Sequence, residues 1–180
     1  MERHGIFVFA ILSLVAMLPG CVTSTGTIPV VPDKLKPPAT QMLALETRAS
    51  GVQIYECRAS KDNPTRFEWV FIAPEAELFD SSGKKIGKHY AGPTWESNDG
   101  SKVVGEVKAR DDGPDANAIP WLLLSAKSTA GTGQLSRTGS IQRVQTVGGK
   151  APADGCSQAQ AGKEARVPYE ARYYFYVVQS

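Results

Sequence analysis

Glu170-Ala171-Arg172-Tyr173-Tyr174-Phe175-Tyr176-Val177-Val178 is the stretch that decides the fold class. Aromatic and β-branched residues suit a pleated surface, so it reads as a strand. Side chains alternate along a strand, which sends Tyr173, Phe175 and Val177 one way and Tyr174, Tyr176 and Val178 the other. Apolar surface on both sides predicts a strand that is covered on both faces.

Upstream, short apolar segments alternate with turn residues. Met42 to Thr47 and Gly51 to Cys57 read as two strands joined near Ser50-Gly51, and Phe67 to Ile72 as a buried strand. Ala76 to Phe79 and Lys84 to Tyr90 form a hairpin pattern across Asp80-Ser81-Ser82-Gly83. A second hairpin joins Thr94 to Ser97 with Lys102 to Arg110 across Asn98-Asp99-Gly100. In its second strand Val103, Val107 and Ala109 alternate with Lys102, Glu106, Lys108 and Arg110, predicting one buried and one wet face. Trp121 to Ala126 and Ile141 to Thr146 complete the series, and 17 glycines with 12 prolines keep turns frequent. About nine short strands predict an all-β single domain, a β-sandwich, with a closed β-barrel as the alternative.

At the amino terminus, Ile6 to Met17 is an uncharged apolar run, the character of a signal-peptide core and too short to span a bilayer comfortably. Leu18-Pro19-Gly20-Cys21 resembles the lipobox of bacterial lipoprotein signals. That resemblance implies removal of residues 1–20, acylation of Cys21 and durable membrane anchoring. Val22 stands where an inner-membrane retention signal places Asp, so the expected address is the outer membrane, facing the periplasm. Residues 21–40, rich in Ser and Thr and then in Pro, read as an extended tether. Its second half, Ile28 to Leu35, carries apolar residues suited to lying along the domain. Residues 41–180 are left for the β-rich globular domain, a length that supports a full core.

Once lipid takes Cys21, Cys57 and Cys156 remain, and an even remainder in an exported chain reads as one disulfide. Two buried free thiols are the alternative. Without a C-x-x-C, neither redox nor metal chemistry is expected of them. A net charge of +2, evenly spread, gives no nucleic-acid surface, and Lys84, Lys85 and Lys88 read as the wet face of a hairpin.

Catalytic groups are scarce. With His4 in the leader, His89 is the remaining histidine, so a multi-histidine metal site cannot be assembled from one chain. Neither H-E-x-x-H nor a G-x-S-x-G elbow occurs, and no metal or cofactor is expected. Gly131-Thr132-Gly133 reads as a turn, and Ser81-Ser82-Gly83-Lys84 matches S-x-x-K in letters alone, since it falls in a hairpin turn. Chemistry concentrates in Gly87 to Glu96. His89 and Glu96 are the candidate catalytic pair, an acid–base imidazole with a carboxylate to orient it. Tyr90, Trp95 and Arg143 are candidate binding residues. Trp69, Trp95 and Trp121 would stack on sugars if exposed together, and belong to the core if buried.

Gly51-Val52-Gln53-Ile54-Tyr55-Glu56-Cys57, Trp69 with Ala73-Pro74, Gly87 to Glu96, Asp99-Gly100-Ser101 and Ile119-Pro120-Trp121-Leu122 occur in that order. Gln142 to Gly149, Cys156, and Val167-Pro168-Tyr169 with Ala171 follow. This ordered set, from about Ile28 to the end, resembles the exported bacterial and fungal family known as domain of unknown function 3455. The resemblance implies no activity. It supports pairing Cys57 with Cys156 and places His89 and Trp95 inside the family's most distinctive motif. The expectation is a binding or structural module of the cell envelope, engaging an envelope protein or a small molecule. An enzyme or metal-assisted site centred on His89 and Glu96, and a carbohydrate-binding domain, are the alternatives.

Overall fold

The computed structural model describes Met1 and residues 29–179; Cys21 and the leader, on which the anchoring expectation falls, lie outside the described residues. Eight strands carry the chain: β1 (Gln41–Ala59), β2 (Phe67–Phe79), β3 (Lys85–Tyr90), β4 (Thr94–Ser97), β5 (Lys102–Asp111), β6 (Trp121–Ala130), β7 (Thr138–Gly148) and β8 (Glu164–Val178). Each pairs antiparallel with the next, and β8 returns to β1 in a ladder from Gln41↔Val178 to Glu56↔Glu164. The all-β, single-domain expectation stands. The ring closes, so the architecture is the barrel held as the alternative, and the preferred two-sheet sandwich gives way to it. Closure depends on the first and last strands pairing over most of their length, an association that no local pattern reports.

Two expected breaks are absent, and the segments on either side of each merge into single strands, leaving eight. Gly51 lies inside β1, paired with Ala76 and Tyr169, and is not a turn: a Cβ there would lie 2.1 Å from the Glu75 carbonyl oxygen and 2.5 Å from the Ala76 Cα. Glycine allows the two backbones to meet. Pro74 likewise sits within β2, in a stretch that pairs with β1 on one side and has no β3 partner on the other. Both hairpin turns fall where expected. Asp80 Oδ1 accepts hydrogen bonds from the Ser82 and Lys84 backbone N–H groups at 2.9 and 3.0 Å, and Gly83 takes φ +83°.

The barrel is filled at the end where the β4–β5 and β6–β7 turns meet. Trp95, Val103, Leu124, Leu135, Ile141 and Phe175 pack there, all buried. Gly105 makes room, since a Cβ at that position would stand 2.9 Å from the Trp95 ring. Outside the barrel, Tyr174 and Tyr176 of β8 are also buried, together with Val144 and against Val31, Leu43 and Trp121. Leu35, in a 3-10 turn over Asp33–Leu35, is fully buried. Its carbonyl accepts from Gln142 Nε2 at 2.6 Å, and Gln142 Oε1 accepts from the Tyr176 hydroxyl at 2.6 Å. The two covers of β8 are therefore the barrel core and a strap of residues 31–36, the apolar part of the Pro-rich segment.

Cys57, at the end of β1, and Cys156 are joined as a disulfide, with sulfurs 2.06 Å and Cα atoms 5.4 Å apart. The bridge ties the 149–163 connection to the barrel wall.

The wall itself is incomplete. β3 meets β2 only over Ala76–Phe79, and β4 meets β5 only over Lys102–Val104. The rest of β2 and β5 has no strand between them, which leaves a window above the β3–β4 turn. Val107, expected to be buried, is 51 % exposed because it stands on this frame, beside a bulge between Val107 and Ala109.

Candidate functional site

Behind the window the barrel is hollow. A cavity of about 640 Å³ runs from Phe71 and Ile72 on β2, Pro93 in the β3–β4 turn, and Val107 on β5 inward to Trp95, Leu124 and Tyr173. This volume lies within the range of small-molecule sites. The walls are mostly apolar, three cationic residues (Arg110, Arg143 and Lys150) line it, and no carboxylate residue does.

His89 arrives on β3 with its side chain inward, 2 % exposed. Its ring stacks on Trp95, directly opposite on β4, with centroids 4.3 Å apart and planes 12° from parallel. The edge of Tyr173 completes the cluster at 5.1 Å. Nδ1 lies 2.9 Å from the Thr94 carbonyl oxygen. A carbonyl only accepts, so Nδ1 carries the proton and Nε2 presents a lone pair. Burial pushes the His89 pKa down to about 3, with the nearby Arg143 guanidinium adding to the depression. Near neutrality this imidazole is an uncharged hydrogen-bond acceptor and has no proton to give as an acid.

Strand alternation separates the expected catalytic pair. β3 and β4 pair as Tyr90↔Thr94, His89↔Trp95 and Lys88↔Glu96, so Glu96 shares the outer face with Lys88 while His89 faces in. Glu96 accepts from the Tyr90 hydroxyl at 2.7 Å and pairs with Lys102 at 3.1 Å, and these contacts hold its carboxyl below the usual range. Tyr90, expected at the binding site, belongs to this outer cluster. Among the described residues no carboxylate forms an ion pair with His89. Placing the two strands symmetrically about the 91–93 turn would have revealed the separation from sequence.

Trp95 and Arg143 do reach the cavity. β7 pairs Arg143 with Leu122 on one side and Tyr173 on the other, which sets the guanidinium across the barrel from the window. A bulge between Val144 and Val147, with Gln145 at φ +49°, ends the regular ladder just beyond it. Arg143 Nε and Nη2 donate to the Pro120 carbonyl oxygen at 3.1 and 2.8 Å. Among the described residues no carboxylate lies within ion-pair distance of Arg143, and the Tyr173 hydroxyl lies beside its guanidinium. Gln53 Nε2, Trp95 Nε1 and the Tyr173 hydroxyl, all on residues of the cavity wall, are buried and lack hydrogen-bond partners. Buried atoms of Gln41, Thr47, Thr138 and Tyr169, which do not line the cavity, likewise lack a partner.

Sequence reading missed Gln53, Phe71, Ile72, Val107, Arg110 and Lys150. The available signal was the adjacent Phe71-Ile72 pair, which places an apolar side chain on each face of a strand. The tryptophans do not form a shared exposed platform: Trp95 is inside, Trp121 packs under the strap, and Trp69 Nε1 donates to the Asp154 carbonyl oxygen.

Fold and cavity together define the class: an up-and-down β-barrel whose ligand-sized interior opens through its wall. The family described as Protein of unknown function (DUF3455) matches residues 38–177, and the chain belongs to that family. No curated protein and no solved structure matches it.

Proposed function

We propose that this protein is a binding barrel of the bacterial cell envelope, tethered by lipid at Cys21, that holds a small and largely apolar molecule in its interior. The observation that carries this reading is the hollow half of the barrel, about 640 Å³ lined mainly by apolar side chains and reached through the gap beside β3 and β4. Filling that space with side chains would stabilise the fold through added dispersion contacts and apolar burial, so leaving it open is a cost that binding explains. The exposed apolar rim of Phe71, Ile72 and Val107 suits the same role, giving an apolar guest a greasy threshold.

The neutral, environment-sensitive dye N-phenyl-1-naphthylamine tests it. It should bind saturably, one per chain, with micromolar affinity. Val107→Trp, at an exposed position on the window frame, should weaken binding at least tenfold while leaving the melting temperature unchanged. Absence of saturable binding, or binding indifferent to Val107→Trp, would refute the reading.

A further inference from the structure

We infer that the molecule held in this cavity is an amphipathic carboxylate, its head group paired with Arg143 and its apolar body extending toward the window. The inference rests on the binding reading above and adds the chemistry of the head group.

Arg143 carries the argument. A guanidinium has five N–H donors in a planar fork suited to a carboxylate. Here Nε and one N–H of Nη2 are spent on a single carbonyl, that of Pro120, and the Tyr173 hydroxyl lies beside the guanidinium. The Pro120 contact orients the fork and occupies two of its five N–H groups, which leaves others for a ligand oxygen. Arg143 is part-buried on the cavity wall with Leu122, Tyr173 and Trp95 and has no ion-pair partner among the described residues, so a bound anion there would gain a screened but favourable charge contact. Elsewhere the chain pairs its arginines freely: Arg58 with Glu56, Arg166 with Glu75 and Arg172 with Glu46. Two arginines of the described residues have no acidic partner: Arg137, exposed to solvent, and Arg143, which lines the cavity where a ligand would supply the missing charge.

The surroundings favour an anion over a neutral polar group. Arg110 and Lys150 also line the cavity and no acidic side chain does, so every charged residue of the lining is cationic, although Arg110 is paired with Asp112 at 3.3 Å. The buried donors of Gln53 and Tyr173 add unsatisfied polarity of the sign an anion seeks. Apolar walls between Arg143 and the window exclude a small hydrated ion as the intended guest, since they offer it nothing in place of water. One charged head on an apolar body satisfies both halves of the cavity.

Calorimetric titration of the full chain with decanoate and with 1-decanol, both below their aggregation limits at pH 7.5, separates the two readings. The acid should bind at least tenfold more tightly than the alcohol, and 0.5 M NaCl should shrink that difference. Arg143→Gln should abolish the preference by weakening decanoate alone, and Arg143→Lys should retain part of it. Equal affinity for acid and alcohol in the unaltered chain overturns the carboxylate assignment and leaves the binding barrel standing. If neither ligand binds, the binding reading itself falls and the assignment with it. Should Arg143→Gln not fold, as near-UV circular dichroism would reveal, the preference of the unaltered chain and its salt dependence decide the matter.

Discussion

His89, a catalytic candidate in sequence, is held by packing on every side in space. Stacked on Trp95, edged by Tyr173 and bonded to the Thr94 carbonyl, it is fixed in one tautomer. Its folded pKa of about 3 lies below the ordinary value of 6.5, so between these values the unfolded chain takes up a proton that the folded chain refuses. The stability this confers is fully present above about pH 6.5 and is lost as pH falls toward 3, at up to about 1.4 kcal/mol per pH unit. Melting temperatures should therefore drop steadily from pH 7 to pH 4, and His89→Asn should melt lower at pH 7 with a visibly flatter profile. Asp99, held down to about 2 by hydrogen bonds from the Gln134 backbone and Ser101, adds its own loss only below about pH 4. Equal pH slopes for the two proteins would show that burial does not govern this imidazole.

At the level of elements, glycine decides where strands lie close and where they stop. Gly83 and Gly100 take positive φ and close hairpins, whereas Gly51 has ordinary strand geometry and lies against the β2 backbone. Gly51→Ala should cost about 3 kcal/mol or more, because the Glu75 carbonyl and Ala76 Cα belong to a paired strand and cannot yield cheaply. Chemical denaturation reads this directly, and a loss under 1 kcal/mol would mean that β1 slides to relieve the clash. The two glycine roles explain what the sequence disclosed. Asp80 to Gly83 and Asn98 to Gly100 carry turn chemistry that names their conformation, so both hairpins were legible. Gly51 and Pro74 look like punctuation in one dimension, and only the neighbouring backbone reveals a close strand contact and a one-sided stretch of strand.

For the molecule as a whole, the double burial of β8 was legible because four aromatic residues in succession admit no wet face. What covers its outer side was half legible, in the apolar residues of the Pro-rich segment that becomes the strap. Closure of the ring was not, nor was the meeting of Arg143 with Trp95 and His89, since each requires strands distant in sequence to take their places. The proposed anchoring also acts at this scale, as it sets where the barrel works. Cys21→Ser should shift the chain from the membrane fraction to the soluble fraction of the envelope, and persistence with the membranes would remove lipid from the account. One structural economy has a further consequence. Because β3 and β4 are short, on the binding reading proposed above the length of this one hairpin, Lys85 to Ser97, sets how open the interior is to solvent. Two longer arms there would complete the missing ladder rungs and brick up the doorway, turning an open vessel into a sealed one without touching a single residue that grips its contents.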